Sequence, residues 1–129
     1  MTNVFQQHGA FSWCELMTTN TTAAKEFYSR LFGWTMEDKP IPEGVYTVLS
    51  AARQQVGGLM KMPDEMSAIP PHWGVYVTVQ NVDTTAKQVE ELGGKVCLAP
   101  MDIPDVGRFA MIQDPQGATL SIISYGLMA

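Results

Sequence analysis

His8 and His72, together with Cys14 and Cys97, are the whole imidazole and thiol supply of this chain. Divalent metals need His, Asp, Glu or thiolate donors that converge at roughly 2.0–2.3 Å, so a centre built on imidazole would have to use both histidines. His8 precedes the first apolar segment and reads as a solvated residue. His72 follows Pro70-Pro71 and reads as a hydrogen-bonded residue beside a proline turn. The two cysteines lie far apart, each inside an apolar segment, and form neither a Cys-x-x-Cys pair nor a disulfide framework; both are expected to be buried thiols.

Composition narrows the chemistry further. The chain has 129 residues, 46% of them apolar, with 8 Lys+Arg against 13 Asp+Glu. A chain of this length buries roughly two-thirds of its unfolded surface, so its core needs no metal or disulfide staple. Phosphate-backbone binding rests on clustered basic side chains, and none are present, so nucleic acid is not an expected partner. No window reaches 18 consecutive apolar residues, and the opening Met1-Thr2-Asn3-Val4-Phe5-Gln6-Gln7-His8 has neither a basic nor an apolar leader region. No membrane contact and a cytoplasmic location are therefore expected. Charged residues make up 16%, against roughly 25% in typical soluble domains, which points to surface covered by a second copy: a homodimer.

The elements that must position these residues come in two copies. Asn20-Thr21-Thr22-Ala23-Ala24-Lys25 with Leu31-Phe32-Gly33 returns 61 residues later as Asn81-Val82-Asp83-Thr84-Thr85-Ala86 with Leu92-Gly93-Gly94. Gly44-Val45-Tyr46-Thr47-Val48 likewise aligns with Gly107-Arg108-Phe109-Ala110-Met111 at an offset of 63. Aromatic and β-branched residues predict strands over about 10–18 and 73–80, each ending in polar residues that open a helix. Ala24, Phe27, Tyr28 and Leu31 share one face of the first helix, with Phe27, Leu31 and Trp34 expected in the core. Val82, Ala86, Val89 and Leu92 share a face of the second. Three strands follow each helix, near 34–38, 45–50 and 54–60 and near 95–99, 108–113 and 118–124, broken by Pro40, Pro42, Pro100, Pro104 and the Asp114-Pro115-Gln116-Gly117 turn. A single domain over 1–129 is predicted, with modules at about 8–61 and 72–125 and a linker at 62–71.

This βαβββ repeat, with "FYSRLFGW" at 27–34 and "DPQG" at 114–117, resembles the vicinal oxygen chelate superfamily of glyoxalase I, bleomycin-resistance proteins and extradiol dioxygenases. It is similar to the bacterial branch described as enzymes related to lactoylglutathione lyase. The resemblance implies an α+β fold in which two modules curl a mixed sheet into a cup. It also implies metal ligands on the first and last strands of each module, at positions that fall on Trp13, Gly58, Gly74 and Ser121. None of these is a usual ligand, so no metal or other cofactor is expected, and the metal-chelating chemistry of glyoxalase I with it. A register shift that brought Glu15 and His72 together with Gln54 or Ser121 would make an atypical site for Fe(II), Mn(II) or Zn(II).

With those positions facing inward, strand alternation assigns to the cup Phe11, Trp13, Glu15 and Met17, then His72, Tyr76 and Thr78, then Gln54, Val56 and Met60, and finally Thr119, Ser121 and Ile123. An aromatic and Met-rich lining with few polar groups suits a small apolar or aromatic molecule. Trp13, Met17, Gln54, Met60, Thr78 and Ser121 are the expected ligand contacts. Glu15, with His72 or Tyr76, is the expected acid/base of a metal-independent lyase, isomerase or hydrolase; its alternative is a structural ion pair with Arg108 or Arg53.

Overall fold

The computed structural model describes residues 3–42, 44–64, 68–103 and 106–126. Among them the chain runs β1 (Phe11–Thr18), α1 (Thr21–Phe32), β2 (Thr35–Ile41), β3 (Gly44–Ala51) and β4 (Gln54–Lys61), and then repeats the order as β5 (His72–Thr78), α2 (Val82–Glu91), β6 (Lys95–Ile103), β7 (Gly107–Gln113) and β8 (Thr119–Ser124). The fold is the α+β tandem βαβββ arrangement that the repeat predicts. Residues 65–67 of the expected linker and the expected break at Pro104 lie outside the described residues.

Two compact units divide the backbone. One comprises residues 13–74; the other comprises residues 1–12 together with 75–129. The first carries strands in the order β2-β3-β4-β1, with β1 parallel to β4 and its other neighbours antiparallel. The second carries β5-β8-β7-β6, with β5 parallel to β8. Each helix lies on one face of its unit's strands. Leu16, Leu49 and Leu59 are buried against Ala24, Tyr28, Trp34 and Met36 in the first, and Val79, Val82, Ala110 and Ile122 against Ile112 and Leu120 in the second.

The repeat sets the helix ends. The Asn20 and Asn81 side chains accept from the backbone N–H of Ala23 at 3.0 Å and of Thr84 at 2.9 Å, satisfying donors that a first helical turn leaves unpaired. Gly33, at φ 73°, closes α1 in the left-handed region that disfavours a side chain.

Several local expectations need correction. Pro40 and Pro100 do not end strands but sit within β2 and β6. Both are edge strands of their units, where a residue without an N–H removes no ladder bond on its outer side. Phe27 and Leu31 are exposed and outside the core, because Ala24 and Tyr28 set which side of α1 meets the strands. Cys14 and Cys97 are exposed thiols. Cys97 follows Val96, which is level with Ile112 on the side covered by α2, so alternation alone turns it away from that layer.

Charge pairs fasten each unit's edge. Arg108 donates from Nε and Nη2 to both Asp83 oxygens at 2.9 and 3.0 Å and from Nη1 to Asp102 at 3.0 Å, so its guanidinium is engaged within its own unit. In the other unit, Asp38 accepts from Thr47 Oγ1 at 2.7 Å and from Lys25 Nζ at 3.2 Å. The Thr47 hydrogen bond and then Lys25 hold Asp38 below its ordinary pKa of 3.8, and the Arg108 hydrogen bonds do the same for Asp83. A carboxylate with a lowered folded-state pKa contributes stability that is fully present above the unfolded value and is lost as pH falls through the folded one. The urea midpoint is therefore expected to decline below about pH 4, and to decline less steeply in Asp38→Asn/Asp83→Asn; an unchanged acid slope in that variant would contradict the assignment.

Candidate functional site

In the first unit, Leu16 turns toward α1, so alternation along β1 sends Trp13, Glu15 and Met17 to the opposite face. Cross-strand register completes that face. Glu15 is level with Gly58, which is level with Val48; Met17 is level with Met60, which is level with Tyr46. Trp13, Met17, Tyr46 and Met60 are half-buried, and Glu15 is buried at 5% exposure. The structure thus brings together four of the expected residues, Trp13, Glu15, Met17 and Met60, and adds a fifth.

That fifth residue is Tyr46. Its phenol lies across Gly58, where a Cβ would fall on the Tyr46 hydroxyl, and that hydroxyl accepts the Trp13 Nε1–H at 2.8 Å. Gly58 is therefore a place cleared for a tyrosine from the neighbouring strand. The signal for Tyr46 is present in the sequence: it lies two residues before Val48 in a strand that antiparallel pairing brings beside Gly58. The choice becomes visible only once the register is known.

Gln54 does not share this face. The β3–β4 ladder steps from Leu49↔Gly57 to Ser50↔Gln55, and the bulge leaves Val56 as the extra residue. Gln55 is thereby brought level with Ser50 on the Glu15 side, and Gln54 is turned to the other. His72 is also displaced. It donates from Nδ1 to the Pro70 carbonyl at 2.9 Å and lines a groove on the α1 side with Leu16, Thr18, Tyr28 and Trp73, away from the face that carries Glu15. Trp73 stands there edge-on to Tyr28, with ring centroids 5.4 Å apart.

The second unit repeats the pattern with different chemistry. Tyr76 is level with Ser121, and Ser121 with Met111; Thr78 is level with Ile123, and Ile123 with Phe109. Tyr76, Thr78 and Ser121 are all buried, and the Tyr76 and Phe109 rings lie 6.3 Å apart. The Thr78 hydroxyl is committed to the N-terminal segment, donating to the Val4 carbonyl at 2.7 Å, while its backbone joins Gly9 and Ala10. His8 takes part in the same attachment, its Nδ1 accepting from the Gln80 N–H at 3.0 Å.

The residues at the four expected ligand positions do not fit a divalent metal. Trp13 offers an indole N–H that is already donated, Gly58 is covered by Tyr46, Gly74 has no side chain, and Ser121 has only a hydroxyl. Among the described residues, no group of three or more His, Cys, Asp or Glu side chains is placed to hold a metal ion. No helix among them is long and apolar enough to cross a membrane.

A tandem βαβββ fold with this strand order and a ligand-position face on each unit defines the class. The chain belongs to the Glyoxalase/Bleomycin resistance protein/Dioxygenase superfamily, whose profile matches residues 10–122. Among its relatives, the Mycobacterium bovis protein named "Putative glyoxylase CFP32" is 42% identical over 116 residues, covering 89% of this chain and 44% of its own length. The anthracycline biosynthesis protein DnrV of Streptomyces peucetius is 33% identical over 133 residues, covering 93% of this chain and 48% of its own length. The chain thus spans less than half the length of these relatives. In fold it is similar to methylmalonyl-CoA epimerase from Mycobacterium tuberculosis, with a TM-score of 0.63 at 14% identity over 89% of this chain and 86% of that one. It is also similar to protein BH1468 of Bacillus halodurans, with a TM-score of 0.68 at 11% identity over 91% of this chain and 94% of that one.

Proposed function

We propose that this protein binds a small apolar or aromatic molecule against the Trp13, Tyr46 and Met60 face of its first unit, and that it does so without a metal. The observation that carries the reading is the Trp13–Tyr46 hydrogen bond laid over Gly58. It puts an indole and a phenol, fixed against each other, at a place where metal-dependent members of the superfamily would need a ligand. Two locked aromatic rings beside Met17 and Met60 offer a rigid surface with an adaptable border, which suits a flat apolar ligand. The similarity to a protein of anthracycline biosynthesis supports fused aromatic compounds as the first class to try.

A second reading gives this face a reaction. Glu15 is a buried carboxylate level with Gly58, on the same strand face as the two rings, and could move a proton on a bound ligand. Neither His72 nor Tyr76 stands with it in the first unit's face, so Glu15 would act there as the acid/base itself.

The test uses Trp34→Phe/Trp73→Phe, which leaves Trp13 as the one indole of the three in the chain. Titration with a panel of planar aromatic compounds, headed by a hydroxylated anthraquinone, is expected to quench it saturably at one molecule per chain. Tyr46→Phe, which removes the acceptor of the Trp13 hydrogen bond, should weaken that binding by about tenfold. Linear, unsaturated quenching by every compound would remove the proposal.

A further inference from the structure

The Trp13 and Tyr46 face continues onto β2, the edge strand of the first unit. Tyr46 is level with Lys39 and Val48 with Glu37, so the side chains at 37 and 39 stand on the same side of the strands as the two rings. Asp38, between them, points the other way, because its carboxylate meets Lys25 of α1. Strands β1 to β4 hold two basic residues. Lys61 is level with Thr18, which lines the groove on the α1 side, so Lys39 is the one cation that these strands turn toward the rings. It is exposed, and among the described residues neither Lys39 nor Glu37 has an ion-pair partner, whereas Lys25, Arg30 and Arg108 each have one.

A lysine on an edge strand can serve only to keep another strand from pairing with it. The second unit shows that the module does not require one at this place. Its edge strand is β6, and the residue level with Phe109, the counterpart of Tyr46, is Met101, which is 45% exposed. The charge beside the ring is therefore particular to the first unit, where the proposed ligand lies. An ammonium bordering an aromatic face recognises an anionic substituent. One register row away an anion is opposed, since Glu37 and Glu15 stand at the two ends of the row that runs through Val48 and Gly58. We infer that Lys39 selects, among flat aromatic molecules, those that carry a carboxylate, and holds that group at the β2 border of the face. The inference rests on the aromatic site proposed above and adds the charge of its ligand.

The probes are a hydroxyanthraquinone carboxylic acid and its methyl ester, which share a ring system and differ in charge. Both are titrated against the full chain carrying Trp34→Phe/Trp73→Phe, with Trp13 quenching as the readout. At low ionic strength the acid is expected to bind about fivefold tighter than the ester, a preference that fades as salt is added. Lys39→Met should abolish the preference by weakening the acid alone, and Lys39→Glu should turn it in favour of the ester. Lys61→Met, on the opposite side of the strands, should leave it intact. Saturable binding of the ester with no preference for the acid, or a preference that survives Lys39→Met, would overturn the inference and leave the aromatic face standing. Unsaturated quenching by both compounds would remove the face and the inference together.

Discussion

Gly58→Ala is expected to destabilise the protein by about 3 kcal/mol in urea unfolding, the sum of an overpacking cost and one lost hydrogen bond. The sign alone is informative. At an unhindered strand position, replacing Gly by Ala removes unfolded-state freedom and stabilises by about 0.5–1 kcal/mol. At position 58 the new methyl must displace the Tyr46 hydroxyl, and with it the acceptor of the Trp13 N–H. Tyr46→Ala clears that space, so Gly58→Ala made in a Tyr46→Ala background should cost little, leaving a coupling of about 3 kcal/mol between the two sites. Gly74 supplies the comparison. It is the other glycine at an expected ligand position, but a Cβ there meets only the Glu15 carbonyl oxygen, at 4.0 Å. Gly74→Ala should be neutral or slightly stabilising. Equal effects at 58 and 74 would mean that Tyr46 is not held where the Trp13 hydrogen bond places it.

The second large effect concerns the ligand. Trp13→Ala removes both a wall of the proposed binding face and the donor that fixes Tyr46, and should lower affinity for the tightest aromatic compound by about 100-fold. Trp73→Ala removes a comparable indole from the α1 side and should leave affinity unchanged. Calorimetric titration of the two variants separates a ligand on the Trp13 face from one in the α1-side groove. A loss confined to Trp73→Ala would move the binding site to that groove.

The tandem architecture was legible because the repeat writes its punctuation twice: Asn20 and Asn81 cap equivalent helices, and Gly33 and Gly93 follow them at positive φ. The placement of Trp13, Glu15, Met17 and Met60 on one face followed from simple alternation. Alternation failed where the backbone added a residue. The bulge at Leu49/Ser50 exchanged Gln54 for Gln55. Periodicity told which residues of α1 share a stripe but not how far that stripe is covered, so Phe27 and Leu31 were assigned to a core that Ala24 and Tyr28 reach and they do not. Tyr46 was out of reach for a different reason. Its importance lies in a contact across two strands, over a position whose lack of a side chain has meaning only when the neighbour is known.

The proposed function puts an aromatic pair in place of metal donors, and metal stoichiometry against ligand affinity tests that most directly. Protein purified without a chelator or a histidine tag should be incubated separately with Zn(II), Ni(II), Mn(II) and Fe(II), desalted, and analysed for metal per chain. Its affinity for the tightest aromatic compound is then measured before and after treatment with EDTA. The prediction is far less than one ion per chain and the same affinity in both conditions. One ion retained per chain, with binding lost on chelation and recovered on adding that metal back, would contradict it.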